Sequence, residues 1–189
     1  MKSFLDIHAH FEYKEAGAEY FVPFRNKMLP RCYPLFNCIC PVVCEDHKDY
    51  AQITPAIEEF NGVPDDSSEE TKNALGDCRG VNLATDEEDT SIEFVGHVGG
   101  DTWERLINDW KEASHKHIDD LVERYNSEDT KNKVDYEVLS VGEPGFVERA
   151  HTGTDYIANQ YLDLLEDSSM ALKDCEIRVV FWFTEPMGK

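Results

Sequence analysis

Positive charge is scarce in this chain of 189 residues: 18 Lys and Arg stand against 39 Asp and Glu, for a net charge of −21. A surface this acidic excludes general nucleic-acid binding, which needs clustered cations for the phosphates. It equally excludes attachment to an anionic membrane. Long apolar runs are missing as well, since no stretch reaches the roughly 18 apolar residues of a membrane span. The opening MKSFLDIHAHFEYKE carries charges where a secretory signal needs an apolar run. A soluble intracellular protein is therefore the expectation. No G-x-S-x-G, P-loop or G-x-G-x-x-G is present, so nothing points to a nucleophile elbow or a glycine-rich phosphate cradle.

The six cysteines contain no C-x2-C pair. Cys32, Cys38, Cys40 and Cys44 crowd together with the spacing C-x5-C-x-C-x3-C, which fits structural zinc poorly. Free cysteine behaves as a small buried hydrophobe, and LFNCICPVVC reads as a packed segment. With apolar residues at 41% and aromatics at 11%, the chain can fill a core and is not disordered. Its length is that of one domain, residues 1–189, and no linker is long enough to divide it.

Residues 4–13 alternate. Leu5, Ile7, Ala9, Phe11 and Tyr13 share one face, and Asp6, His8, His10 and Glu12 share the other, a strand pattern. Ala16-Gly17 makes a turn from which Tyr20-Phe21-Val22 returns as a hairpin arm. Short helices are expected over 34–40, from Thr54 to Phe60, and from Ser67 or Ser68 to Gly76. The longest helix is expected over 102–125, where Trp103, Leu106, Ile107, Trp110, Ile118, Leu121, Val122 and Tyr125 form one apolar stripe. Asp101 and Glu104 read as its cap pair. Val134–Val141 reads as a strand, Gly142-Glu143-Pro144-Gly145 as a turn, 155–166 as a second helix and EIRVVFWF, 176–183, as a central strand. Strands and helices do not alternate regularly. The fold class is therefore α+β, a mainly antiparallel sheet packed by two longer helices and several short ones.

Leu5-Asp6-Ile7-His8-Ala9-His10 looks like the first-strand H-x-H motif of metal-dependent amidohydrolases, whose two imidazoles can share one metal. Those enzymes need a barrel of about 250 residues, and the chain has no barrel rhythm. A polar sheet face is the favoured reading, with no metal and no cofactor expected. His115 and His117 lie about 200° apart around their helix and cannot chelate one metal together. His97 precedes a helix start, where it reads as a capping or loop residue or as a contact to a bound anion. Between Glu58 and Glu93 twelve acids face Lys72 and Arg79. This segment is either a solvated loop or a surface that imitates a phosphate backbone.

Several segments in order resemble a family of small proteins of tailed bacteriophages: the acid and histidine strand Asp6 to Glu12, Arg31-Cys32-Tyr33-Pro34-Leu35-Phe36, Gly62-Val63-Pro64-Asp65-Asp66, His97 to Trp103, and Val179-Val180-Phe181-Trp182-Phe183. Asn61 stands where the family carries arginine, and Gly99 and Gly100 stand where it carries serines. The resemblance implies a phage anti-defence protein, related to the nucleotide sponges of the Sequestin and Lockin type. Such a protein would bind and sequester an ADP-ribose-like or cyclic nucleotide signal without cleaving it, more a binder than an enzyme. Arg31, Arg79 and Arg178 would serve the phosphates, Tyr33, Trp103 and Trp182 would offer stacking faces, and His97 would supply a polar contact. Homo-oligomerisation stays open. The alternative is an acidic inhibitor, of the anti-CRISPR or anti-restriction type, that occupies the nucleic-acid groove of a host defence protein.

Overall fold

The computed structural model of the chain describes residues 6–32, 35, 38–39, 62–76, 95–127, 141–172 and 174–184. Strand β1 spans Asp6–Lys14 and turns at Gly17, whose φ of +86° is the left-handed conformation glycine adopts freely. It returns antiparallel as β2, Val22–Leu29. Pro23 lies in this edge strand, where a missing N–H does least harm. Strand β3, Val95–Gly99, leads straight into helix α2, Gly100–Asn126. Helix α3, Phe146–Ala171, precedes β4, Glu176–Thr184. A short helix α1, Glu69–Gly76, lies between the hairpin and β3. The sheet order is β2-β1-β4-β3 and every pairing is antiparallel, the α+β class that the element pattern implies.

Alternation along β1 and β4 gives the sheet two unlike faces. Ile7, Ala9, Phe11, Val179, Phe181 and Phe183 point to one side and pack on α2 and α3. Trp103 sits at the centre of this core with no exposed surface. Its ring meets Phe11 edge-on at 6.3 Å and lies 6.2 Å from Tyr161, and its Nε1 donates to the Tyr161 carbonyl at 3.2 Å. Phe181 reaches the backbone of Gly96 so closely that a Cβ there would lie 2.7 Å from its ring. Trp110 and Leu121 are buried on the same helix stripe. Cys32 and Cys38 belong to this core, where burial pushes their thiols up to about 11 and about 12. They are packing residues without reactive thiolate character.

Away from the sheet, α2 and α3 run antiparallel and meet through a polar stripe. His115 stacks on His151 at 4.4 Å, with His115 3.2 Å from Asp155 and His151 3.3 Å from Asp119. Lys111 lies 2.9 Å from Asp155 and is the main reason that carboxyl is held below its ordinary range.

Several boundaries differ from the sequence reading. α2 starts on Gly99 as its cap residue with no side-chain cap, in place of the Asp101 and Glu104 pair, because β3 feeds directly into the first turn. α3 begins at Phe146, nine residues before the expected start, directly after the turn in which Gly145 has a φ of +72°. Val141, expected to end a strand, is helical. Leu35, Cys38 and Ile39 are helical, as the expected short helix requires, whereas the helix expected at 54–60 and the strand expected over 134–140 lie outside the described residues.

Gly96→Ala should destabilise the protein by about 1–3 kcal/mol, because the aromatic ring behind it has to move. Gly153→Ala in α3, where an added Cβ meets nothing within 4 Å, should stabilise it by about 0.5–1 kcal/mol. Urea denaturation of both variants checks the contrast.

Candidate functional site

The second face of the sheet carries the ionisable groups, and the strand register sets them in rows. Glu12 lies beside Arg178, His10 beside Val180 and then His97, His8 beside Trp182 and then Val95, and Asp6 beside Thr184. Residues paired across antiparallel strands project to the same side, so each row is a line of neighbouring side chains. His10 and His97 are two strand spacings apart, about 10 Å, with Val180 between them.

The first row is a closed ionic cluster. Glu12 has no exposed surface, yet both its oxygens are fully engaged. Oε1 accepts from the Ser68 amide at 3.0 Å, the Ser68 hydroxyl at 2.8 Å and the Thr71 hydroxyl at 2.7 Å. Oε2 accepts from Arg178 Nη2 at 2.7 Å and Nε at 3.2 Å, and from the Ser67 hydroxyl at 3.3 Å. Burial works to raise the Glu12 carboxyl, but the bonds from Arg178, Thr71 and Ser68 outweigh it and hold the group below its usual range. Ser68 Oγ also accepts from the Thr71 amide, so one hydroxyl caps α1 and ties it to the sheet.

Residues 62–76 thus form a strap over this face. Gly62 donates to the Val95 carbonyl and its own carbonyl accepts from His97 Nδ1 at 3.1 Å. Val63, Ala74 and Leu75 pack on Val95, Val180 and Trp182. Beyond the strap lie the last rows. His8 stacks on Trp182 at 5.7 Å and 7°, His10 meets the same ring at 4.8 Å, and His8 Nε2 is 2.9 Å from the Thr184 hydroxyl. Burial lowers both imidazoles, against the opposing pull of Asp6 on His8 and of Glu70 and Glu12 on His10. Both are neutral at pH 7. At this end Arg31 Nε bonds the Asp6 carboxylate, with the arginine side chain 42% exposed.

The residues singled out from the sequence therefore separate. Arg31 joins Asp6, which is paired with Thr184, while Trp182 in the next row beside His8 has no exposed surface for stacking. Arg178 lies six residues further along β1, about 20 Å away, so the two arginines cannot hold one phosphate. His97 is in mid-strand on the far edge and is neither a cap nor a loop residue. Trp103 fills the core on the opposite face and offers no surface for stacking. Tyr33 and Arg79 lie outside the described residues. Sequence reasoning missed the cluster of Lys14, Asp66, Ser67, Ser68 and Thr71. A lone arginine inside EIRVVFWF was its available signal, since a buried guanidinium demands a buried acid. One open groove, lined by Pro23, Phe24, Arg25, Asn26 and Glu70, runs between β2 and α1. Among the described residues no three His, Cys, Asp or Glu groups converge as a metal site.

No protein-family model matches the chain, and neither a curated protein nor a solved structure matches it.

Arg178→Met should cost about 3–5 kcal/mol, because it strands a buried carboxylate. Glu12→Leu together with Arg178→Met should recover part of that loss, and urea denaturation measures both. The pH dependence has two parts with one sign. His8 and His10 titrate below their ordinary 6.5 in the folded chain, so their contribution is full above that value and is lost as pH falls. Glu12 and Asp66, held below their ordinary 4.5 and 3.8, contribute above those values and lose that contribution at lower pH still. Stability measured at pH 7, 5.5 and 3 should fall in both steps, and the His8→Gln/His10→Gln double variant should lack the first.

Proposed function

We propose that this chain binds and sequesters a small phosphate-bearing nucleotide signal, ADP-ribose-like or cyclic, without turning it over, as an anti-defence protein of a bacteriophage acting in the host cytoplasm. The observation that supports this best is Arg31, a half-exposed guanidinium held by Asp6, two residues along β1 from the half-buried His8. Neutral imidazoles and an arginine can receive a phosphate without the repulsion that the rest of this acidic chain exerts. The lack of turnover is favoured because, of the two carboxylates that flank the histidines along the strand, Asp6 is held by Arg31 and Glu12 is buried beneath the strap and fully hydrogen-bonded. Neither is a free general base.

The net charge of −21 favours the second reading, an acidic inhibitor that takes the place of nucleic acid in a host defence protein. The described surface bears on it in two ways. On α2 the exposed Asp101, Glu112 and Asp120 stand four residues ahead of Arg105, Lys116 and Arg124, the pattern of a solvated helix, but Glu104, Asp109, Asp119 and Glu123 are exposed as well and leave the helix acidic. Within 62–76, Asp66 is spent on Arg178 and Lys14. Most of the acidic segment 58–93 lies outside the described residues.

Arg31→Ala should weaken nucleotide binding by roughly ten- to a hundredfold, the loss of one charge-assisted bond. Thermal stability should fall only modestly, because the arginine is half-exposed although the Asp6 carboxylate it leaves is 15% exposed. Calorimetry of the wild type and this variant against ADP-ribose and cyclic dinucleotides measures it. If no nucleotide binds and a nuclease binds instead with an affinity that collapses as salt rises, the inhibitor reading replaces this one.

A further inference from the structure

We propose that Lys14, Arg178 and the ring of Phe21 form a binding subsite for a phosphate group, which the chain's own Asp66 carboxylate occupies and closes. The subsite does not depend on the Arg31 reading, since it lies at the other end of β1.

Arg178 divides its donors. Nε and Nη2 are committed to Glu12 from below, which fixes the plane of the guanidinium, and Nη1 is left to point at Asp66 Oδ1 at 2.8 Å. Lys14 Nζ takes the other oxygen, Oδ2, at 3.3 Å. Two cations from neighbouring strands thus grip one carboxylate, each by a different oxygen. Both lie over the same aromatic ring, Arg178 3.6 Å and Lys14 4.4 Å from the centroid of Phe21. Phe21 is buried, and its amide donates to the Asp66 carbonyl, so the platform and the strap are tied together.

Asp66 differs from Glu12 in the respect that matters here. Glu12 is sealed, with the strap on both its oxygens and Arg178 on one of them, whereas the Asp66 side chain is 36% exposed and its carboxylate is held by the two cations. Solvent reaches the place where the carboxylate sits. Asp66 is held below its ordinary range chiefly by the Arg178 bond, with Lys14 adding to it. The opposing charge is Glu176, 3.7 Å from Lys14 and well exposed, where water and salt screen it. A phosphate presents oxygens to both donors as a carboxylate does, with more charge and further lone pairs for the Ser67 and strap side. An intramolecular carboxylate competes at high effective concentration, so the wild type should take phosphate weakly and the neutral variant strongly.

The test titrates inorganic phosphate into wild type, Asp66→Asn and Asp66→Ala by calorimetry. Both variants should bind phosphate at least tenfold more tightly than wild type. Adding Lys14→Met to Asp66→Asn should remove the gain, while adding Arg31→Ala should leave it, which separates this subsite from the nucleotide site proposed above. If Asp66→Asn and Asp66→Ala fold but bind no better than wild type, or if the gain survives Lys14→Met, the subsite is wrong. Should the variants fail to fold, NMR of the wild type decides. Added phosphate should shift the Phe21 amide and the Arg178 side-chain resonances together, and saturating phosphate that moves neither would sink the proposal.

Discussion

A carboxylate with no exposed surface persists in the middle of β1 because every direction around it supplies a donor: Arg178 from β4, and Ser67, Ser68 and Thr71 from the strap. Removing water from a charge is costly unless partners of this number and geometry replace it. The cluster therefore does more than join two strands. It specifies that Glu12 and Arg178 stand opposite each other, which fixes the register of β1 against β4. A slip of one residue would carry the whole alternating pattern to the wrong face.

From that register the division of labour between the two faces follows. One face is filled by Ile7, Ala9, Phe11 and the odd-numbered residues of β4 from Val179 to Phe183, and needs α2 and α3 to cover it. The other mixes a buried ion pair, two neutral imidazoles and an indole. It is covered by a strap whose contacts are largely polar, with Val63, Ala74 and Leu75 as a small apolar supplement. A polar cover is more exchangeable for a polar ligand than an apolar one, because a ligand's own donors and acceptors can replace it. This is the physical reason for seeking ligand chemistry on this face and not between the helices.

Much of this architecture is legible in the residue pattern. The strict alternation of β1 and the apolar stripe of α2 leave little freedom, and the serines before Glu69 mark the start of α1. β3 escapes notice because Val-Gly-His-Val-Gly is short and carries two glycines, poor strand formers that only pairing with β4 holds extended. The helical turn after Gly145 carries an equally weak signal, as Phe146 to Thr154 lacks a continuous apolar stripe. At the site, the alternation shows that Asp6, His8, His10 and Glu12 share a face, but not that Glu12 is structural and Asp6 is the one beside Arg31. That distinction depends on which strand lies opposite, a long-range fact that spacing along one segment does not contain.

The central position of β4 also determines when the sheet can exist. β1 and β2 are joined by a short turn, whereas β1 and β4 are separated by residues 15–175, and among the described residues β3 pairs with β4 alone. Closing the longer connection costs about 3 kcal/mol more in chain entropy than closing the hairpin. On the ribosome, the hairpin and the two long helices can form early from local contacts, but the slot between β1 and β3 stays vacant until residue 184 emerges. Until then Glu12 has no arginine, the apolar side of β1 has an open edge, and the nascent chain is exposed to mispairing. The acidity of the sequence has a second use at this stage: like charges keep unfinished chains apart while each waits for its last strand.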